Sequence, residues 1–138
     1  MKNYSFTVKF RLGRHKTMIK LLIVDDEAEA REILNEFLTY HGFQVILAVD
    51  GNDGLRKYQE HKPQAALIDL QMPGMSGDVL TKTILAENKN FPIIILSGVL
   101  FGNSSKDLIE TGVRAVLEKP INLKELYMQL QKIFPPTA

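Results

Sequence analysis

Short apolar runs alternate with amphipathic segments along the chain, and this pattern predicts five strands and five helices. The apolar runs lie at residues 19–24, 45–49, 65–70, 92–96 and 115–117. They are short and rich in Val, Ile, Leu and Ala, which is typical of strands buried on both faces of a parallel sheet. The segment after the first run predicts a helix, because its apolar residues share one helical face: Ala30, Ile33, Leu34, Phe37 and Leu38.

Turn and capping residues separate the predicted elements. The pair His41-Gly42 ends the first helical pattern, Asp50 supplies a cap for the second helix, and Gly112 ends a short fourth helix. Residues 71–77 carry Pro and Gly and predict a loop. Strands that alternate with helices in this way predict an α/β fold, in which right-handed crossovers place helices on both faces of a parallel sheet.

Polar side chains follow the predicted strands at their carboxyl ends. Asp25 and Asp26 end the first strand, Asp69 ends the third, Ser97 follows the fourth, and Lys119 follows the fifth. In parallel sheets these ends meet at one edge, where ligands bind. Any one of the five alone is more often a loop cap, a turn residue or a surface lysine. Their joint occurrence at one edge favours a functional site.

The charge at this edge indicates a cation and phosphoryl chemistry. Three carboxylates and one ammonium group repel one another on balance unless a further cation joins them. Oxygen ligands without His or Cys favour Mg²⁺, or Mn²⁺, over zinc. Because Mg²⁺ leaves positions free for water and phosphate oxygens, a neighbouring carboxylate can act as the nucleophile that accepts a phosphoryl group.

Composition sets the limits of this interpretation. The chain has 138 residues, 45% hydrophobic and 24% charged, which predicts one globular domain with at most a tail. A net charge of +1 gives no indication of a nucleic-acid or acidic membrane partner. No apolar run is long enough to span a membrane. The absence of cysteine excludes disulfides, zinc–thiolate sites and thiol catalysis, and it fits a cytoplasmic location.

Charge is distributed unevenly along the chain. Residues 1–17 contain no acid, and the remaining residues carry four more acids than bases. We expect a basic arm at residues 1–17 that is disordered, or that derives from a vector or an upstream start codon, followed by a domain at residues 18–134. Residues 135–138 then form a tail or begin a linker. The bases of the arm are Lys2, Lys9, Arg11, Arg14 and Lys16.

Four motifs carry a specific resemblance. The chain resembles the receiver domain of two-component response regulators, the group that includes the chemotaxis regulator, over residues 18–134. This resemblance implies a flavodoxin-like, doubly wound, five-stranded parallel sheet of order 2-1-3-4-5 with five helices. The motifs are Leu22-Ile23-Val24-Asp25-Asp26-Glu27, Leu67-Ile68-Asp69-Leu70-Gln71-Met72-Pro73-Gly74-Met75-Ser76-Gly77, Pro92-Ile93-Ile94-Ile95-Leu96-Ser97-Gly98 and Glu118-Lys119-Pro120.

The resemblance also implies roles for individual residues. Asp69 is the expected phosphoacceptor, and Asp26, Asp69 and the backbone carbonyl of Gln71 are the expected Mg²⁺ ligands. Asp25 is expected to order a metal-bound water, so it counts with the metal site. Ser97 and Lys119 are expected to hold the phosphoryl oxygens, and the Lys119–Pro120 peptide is expected to be cis.

The implied activity is that of a switch. It accepts a phosphoryl group from phosphohistidine on a sensor histidine kinase or a histidine phosphotransfer protein, catalyses only its own phosphorylation and dephosphorylation, and is not an enzyme with an independent substrate. A downstream partner is expected at the face formed by the fourth helix, fifth strand and fifth helix, and a weak dimer is compatible with this. Val116 departs from the family pattern, because many members carry an aromatic side chain three residues before the lysine.

Two other functions remain open on the sequence. An aspartate-nucleophile phosphatase also uses Asp and Mg²⁺ in an α/β fold, although such enzymes resemble one another in an Asp-x-Asp pattern that differs from the adjacent Asp25-Asp26. A receiver-like adaptor that is never phosphorylated is the second alternative. The sequence does not choose between a stand-alone regulator and the receiver of a longer protein such as a hybrid kinase.

Overall fold

A computed structural model describes residues 18–98 and 104–136 of the chain. Within these ranges five strands alternate with five helices, and no helix is long and apolar enough to cross a membrane. The strands are β1 (Lys20–Val24), β2 (Gln44–Ala48), β3 (Ala65–Asp69), β4 (Ile93–Ser97) and β5 (Ala115–Glu118). The helices are α1 (Ala28–Tyr40), α2 (Gly51–His61), α3 (Gly77–Glu87), α4 (Ser104–Thr111) and α5 (Leu123–Ile133).

The strands form one parallel sheet of order β2-β1-β3-β4-β5, which confirms the predicted architecture. The register brings the carboxyl ends of the strands to the same edge. Val24 lies opposite Ile68, Asp69 lies opposite Leu96, and Ser97 lies opposite Glu118. This edge is therefore where residues that follow β1, β3, β4 and β5 meet.

Successive strand residues point to opposite sides of the sheet. Both sides are buried, each beneath its own set of helices. In β1, Leu22 and Val24 belong to the core beneath α2, α3 and α4, whereas Leu21 and Ile23 belong to the core beneath α1 and α5. Burial on both sides explains why the strands are continuous apolar runs rather than alternating ones.

The observed bounds differ from the predicted ones by one residue at several strand ends. Ser97, expected just after β4, is its last residue, because the amide of Lys119 continues the ladder by donating to the Ser97 carbonyl at 2.7 Å. The Lys119–Pro120 peptide is cis, as the resemblance implies. The basic arm at residues 1–17 and residues 137–138 lie outside the described residues, so the predicted domain bounds stay predictions.

Candidate functional site

Three carboxylates converge at the carboxyl edge of the sheet. Asp25 and Asp26 follow β1, Asp69 ends β3, and one oxygen of each lies within 4.8 Å of the others. Among the described residues, this is the group of acidic, His or Cys side chains that is spaced to hold a metal ion. Asp25 and Asp69 are buried and Asp26 is exposed, so the cluster opens to solvent on one side.

Backbone amides of the following loops fix the two buried carboxylates. The amide of Glu27 donates to Asp25 Oδ1 at 2.9 Å, and the amide of Gln71 donates to Asp69 Oδ1 at 3.2 Å. In both cases an Asp accepts from the residue two positions later, a local geometry that short polar side chains favour in turns. The chain therefore turns away from each strand end while the carboxylate stays aimed at the cluster.

Lys119 supplies a cation at the centre of the site. Its Nζ lies 3.2 Å from Asp69 Oδ2, 3.4 Å from Asp25 Oδ2 and 3.7 Å from Glu27 Oε1. The cis peptide to Pro120 follows it directly, and its own amide is bound to the Ser97 carbonyl. The ammonium group thus sits between the ends of β1 and β3, and its backbone ties β5 to β4.

The environment of Asp69 raises the pKa of its carboxyl to about 6. Burial is the largest cause, because the charged form loses water, and the negative charge of Asp25 adds to it. The charge and hydrogen bond of Lys119 and the amide of Gln71 act in the opposite direction. The carboxyl is therefore mostly ionised near pH 7, although it is less readily ionised than an ordinary aspartate.

The pKa of Lys119 moves in the direction expected of a cation among acids. Burial alone would lower it, but the charges and hydrogen bonds of Asp25 and Asp69 together raise the pKa above its ordinary value. The ammonium group therefore stays charged throughout the physiological range. It neutralises part of the acidic cluster and leaves negative charge to be balanced by another group.

Two neighbours of the site were not assigned a role from the sequence. The guanidinium of Arg31, in α1, donates to the backbone carbonyl of Asp25 at 2.7 Å. A Cβ added to Gly77 would lie 2.2 Å from the Asp69 carbonyl oxygen, so only glycine allows α3 to begin this close to β3. Both contacts involve backbone atoms, which leave no signal in a pattern of side-chain types.

A cavity of about 530 Å³ opens beside the cluster, between α1 and the segment that follows β5. Its lining includes the charged residues Asp25, Glu27 and Lys119 and the apolar residues Ile33 and Ile121. A group that enters from solvent along this cavity therefore meets charged side chains next to Asp69.

Val116 lies in β5 opposite Ile95 and is half-buried against the core beneath α2, α3 and α4. It presents no aromatic ring at this position.

Residues 21–131 match the family model described as the response regulator receiver domain. The chain belongs to the response regulator receiver family. Receiver domains are signalling switches of two-component systems that interact with histidine kinases or phosphotransfer proteins.

Curated response regulators are similar to this chain over part of their length. Response regulator MprA of Mycobacterium sp. (strain KMS) is 27% identical over 120 residues, which cover 87% of this chain and 52% of the relative. The chain therefore spans about half the length of the curated relatives it matches.

Solved structures agree as well. Chemotaxis protein CheY4 of Vibrio cholerae is 28% identical with a TM-score of 0.79 and covers 85% of this chain and 99% of its own. A chain of the CheX-CheY-BeF3-Mg+2 complex from Borrelia burgdorferi is 27% identical, also with a TM-score of 0.79, and covers 84% and 89%.

The structure thus places Asp25, Asp26, Asp69 and Lys119 in one site and Ser97 at the end of the adjoining strand. The individual roles assigned to these residues from the sequence, and to the Gln71 carbonyl, stay predictions.

Proposed function

We propose that this receiver accepts a phosphoryl group on Asp69 and serves as the switch of a phosphorelay. The observation that carries the proposal is the setting of that carboxylate. It is buried, its Oδ2 lies 3.2 Å from the Lys119 ammonium, and it shares a cluster with Asp25 and Asp26.

The donor set fits a divalent cation, Mg²⁺ first and Mn²⁺ second. The three carboxylates converge within 4.8 Å and one of them faces solvent, and in the part of the chain that the structure describes no His or Cys ligand joins them. Asp26 and Asp69, with the Gln71 backbone carbonyl, would hold the ion, and Asp25 would orient a water next to it. When bound, the ion supplies positive charge against the phosphoryl oxygens.

The chain's own residues then have distinct tasks. Asp69 is mostly ionised at neutral pH, so a carboxylate oxygen can attack phosphorus. A bond between that oxygen and phosphorus forms, the phosphorus–nitrogen bond of phosphohistidine breaks, and the released imidazole nitrogen keeps the electron pair. Lys119 and Ser97 receive the phosphoryl oxygens as donors of charge and hydrogen bonds.

The proposed partners follow from this chemistry. The phosphoryl donor is a sensor histidine kinase or a histidine phosphotransfer protein, whose histidine reaches Asp69 from the solvent side of the cluster. The downstream partner binds the face formed by α4, β5 and α5, where Ser97 and Lys119 begin the adjoining loops. Because Val116 offers no ring that could turn outward, the response depends on Ser97 and the segment after it.

Intact mass spectrometry tests the proposal. The full chain is incubated with Mg²⁺ and either acetyl phosphate or phosphoramidate, the second donor carrying the phosphorus–nitrogen bond of phosphohistidine. We expect a gain of one phosphoryl group with both donors, its loss when EDTA removes the metal, and no gain in Asp69→Asn.

Each contrary outcome has a meaning. Undiminished labelling of Asp69→Asn would refute the acceptor assignment. No labelling of the wild type would favour a receiver-like adaptor, and repeated turnover of a phosphomonoester would favour the phosphatase alternative. Glu36→Gln, which changes an exposed acid of α1 away from the cluster, is the matched control and should label as the wild type does.

A further inference from the structure

Gln71 contacts two parts of the site at once. Its backbone amide donates to Asp69 Oδ1 at 3.2 Å, and its side-chain Oε1 accepts from the amide of Gly98 at 3.4 Å. Gly98 is 27 residues away along the chain and follows Ser97, the last residue of β4. One residue therefore joins the acceptor carboxylate to the start of the segment after β4.

The amide of Gly98 lies at the edge where a phosphoryl group on Asp69 would project. Asp69 is opposite Leu96 in the parallel register, and the amide of Leu70 donates to the Leu96 carbonyl at 2.9 Å. Gly98 is thus two residues past the partner of Asp69. Apart from the chain neighbours of Gly98, the nearest described atom to the position that a Gly98 Cβ would take is Gln71 Oε1, at 4.0 Å.

We propose that the Gln71 carboxamide is a resting-state latch that occupies the Gly98 amide and releases it when Asp69 is phosphorylated. The inference rests on the proposed function, because the phosphoryl group is what displaces the latch. Gln71 acts here as a positioning residue through its side chain, in addition to the metal role proposed for its backbone carbonyl.

Relative hydrogen-bond strength gives the exchange its direction. At 3.4 Å the bond from Gly98 to the neutral carboxamide is longer than the usual 2.7–3.2 Å of an amide hydrogen bond and is therefore weak. An anionic phosphoryl oxygen is a stronger acceptor for the same amide. Gln71 is exposed, so its carboxamide can turn to water without leaving a buried polar group unpaired.

The latch would couple phosphorylation to the segment that begins at Gly98. In the resting state the amide of Gly98 is bound to Gln71 in the β3–α3 loop, and in the phosphorylated state it would be bound to the phosphoryl group. This exchange of hydrogen bonds at Gly98 needs no aromatic ring at position 116, where the chain carries Val116.

Amide NMR of the full chain tests the latch. Gln71→Leu removes the acceptor while keeping a similar side-chain size, and Gln71→Glu restores one. The control is Gln64→Leu, since Gln64 Oε1 accepts from the Lys20 amide at 3.0 Å at the other end of the sheet. Spectra are recorded without ligand and with Mg²⁺ plus beryllofluoride as the phosphoryl probe.

We expect the Gly98 amide proton to move upfield in ligand-free Gln71→Leu and to exchange faster with water. It should return toward the wild-type position in Gln71→Glu and stay unchanged in Gln64→Leu. With saturating beryllofluoride, the wild type and Gln71→Leu should converge at Gly98. Beryllofluoride should bind Gln71→Leu about threefold more tightly, because a weak competing hydrogen bond is gone.

Two results would overturn the latch. One is an identical Gly98 resonance in the ligand-free wild type and Gln71→Leu, and the other is a difference that persists at saturation. Failure of the proposed function has a different signature. In that case the wild type shows no response to Mg²⁺ and beryllofluoride anywhere in the cluster, while the ligand-free comparison still decides whether the contact exists.

Discussion

Neutralising Asp69 should stabilise the metal-free domain, because burial and Asp25 oppose the charge of its carboxylate. The carboxyl titrates near its ordinary value of 3.8 in the unfolded chain and at about 6 in the folded one. At 1.36 kcal/mol per unit, the ionised group costs the folded state about 3 kcal/mol at pH 8. This value already contains the attraction of Lys119.

The sign of the pH dependence follows from the raised pKa. Below 3.8 the group is protonated in both states and contributes nothing, and as the pH rises through 3.8 to about 6 the unfolded chain ionises first. Relative to Asp69→Asn, the wild type therefore loses stability across this window. We expect Asp69→Asn to be more stable by about 1.5 kcal/mol at pH 5 and by about 3 kcal/mol at pH 8.

Urea denaturation in EDTA at the two pH values measures the difference directly. Glu36→Gln is the control, since an exposed acid should change stability by no more than about 0.5 kcal/mol. Added Mg²⁺ should reduce the difference in unfolding free energy between Asp69→Asn and the wild type, because the ion stabilises the folded wild type by binding to it. Equal stability of Asp69→Asn and the wild type at pH 8, or a difference that is the same at both pH values, would refute the account of the cluster.

Three further substitutions test separate contacts. Lys119→Met should raise the pKa of Asp69 further, since the ammonium lowers it, and should impair phosphorylation while Mg²⁺ binding persists. Carbon-detected NMR titration measures the pKa and calorimetry measures Mg²⁺ binding; lost Mg²⁺ binding would show that Lys119 does not act on the phosphoryl group alone. Arg31→Ala should weaken Mg²⁺ binding about tenfold by freeing the Asp25 carbonyl, with partial recovery in Arg31→Lys; unchanged affinity would contradict it. Gly77→Ala should destabilise the domain by about 3 kcal/mol or more in urea, because a Cβ would meet the Asp69 carbonyl; a neutral result would count against this close approach.

The sequence predicted the parts of the molecule that side-chain type determines. Apolar runs buried on both faces marked the five strands, and the sheet order agreed with the resemblance. Acids and a lysine at strand ends indicated the edge where Asp25, Asp69 and Lys119 lie within hydrogen-bond or ion-pair distance. Pattern and topology were sufficient to locate this edge, because the carboxyl ends of parallel strands lie together whatever the details of packing.

Contacts to backbone atoms could not be predicted in this way. Arg31 meets the Asp25 carbonyl, Gln71 Oε1 meets the Gly98 amide, and Gly77 packs on the Asp69 carbonyl. Every residue has the same backbone groups, so the choice of partner depends on loop conformation. The raised pKa of Asp69 likewise depends on how deeply the carboxylate is buried, which no spacing of residues specifies.

Chemical trapping shows whether Asp69 carries the phosphoryl group. The full chain is treated with acetyl phosphate and Mg²⁺ and then reduced with borohydride, which converts an aspartyl phosphate, but not a free carboxylate, to homoserine. Peptide mass spectrometry then locates the change. We expect homoserine at position 69 and aspartate at positions 25 and 26. Homoserine at another position, or unmodified aspartate at 69 in a protein that gained a phosphoryl group, would show that a different residue is the acceptor.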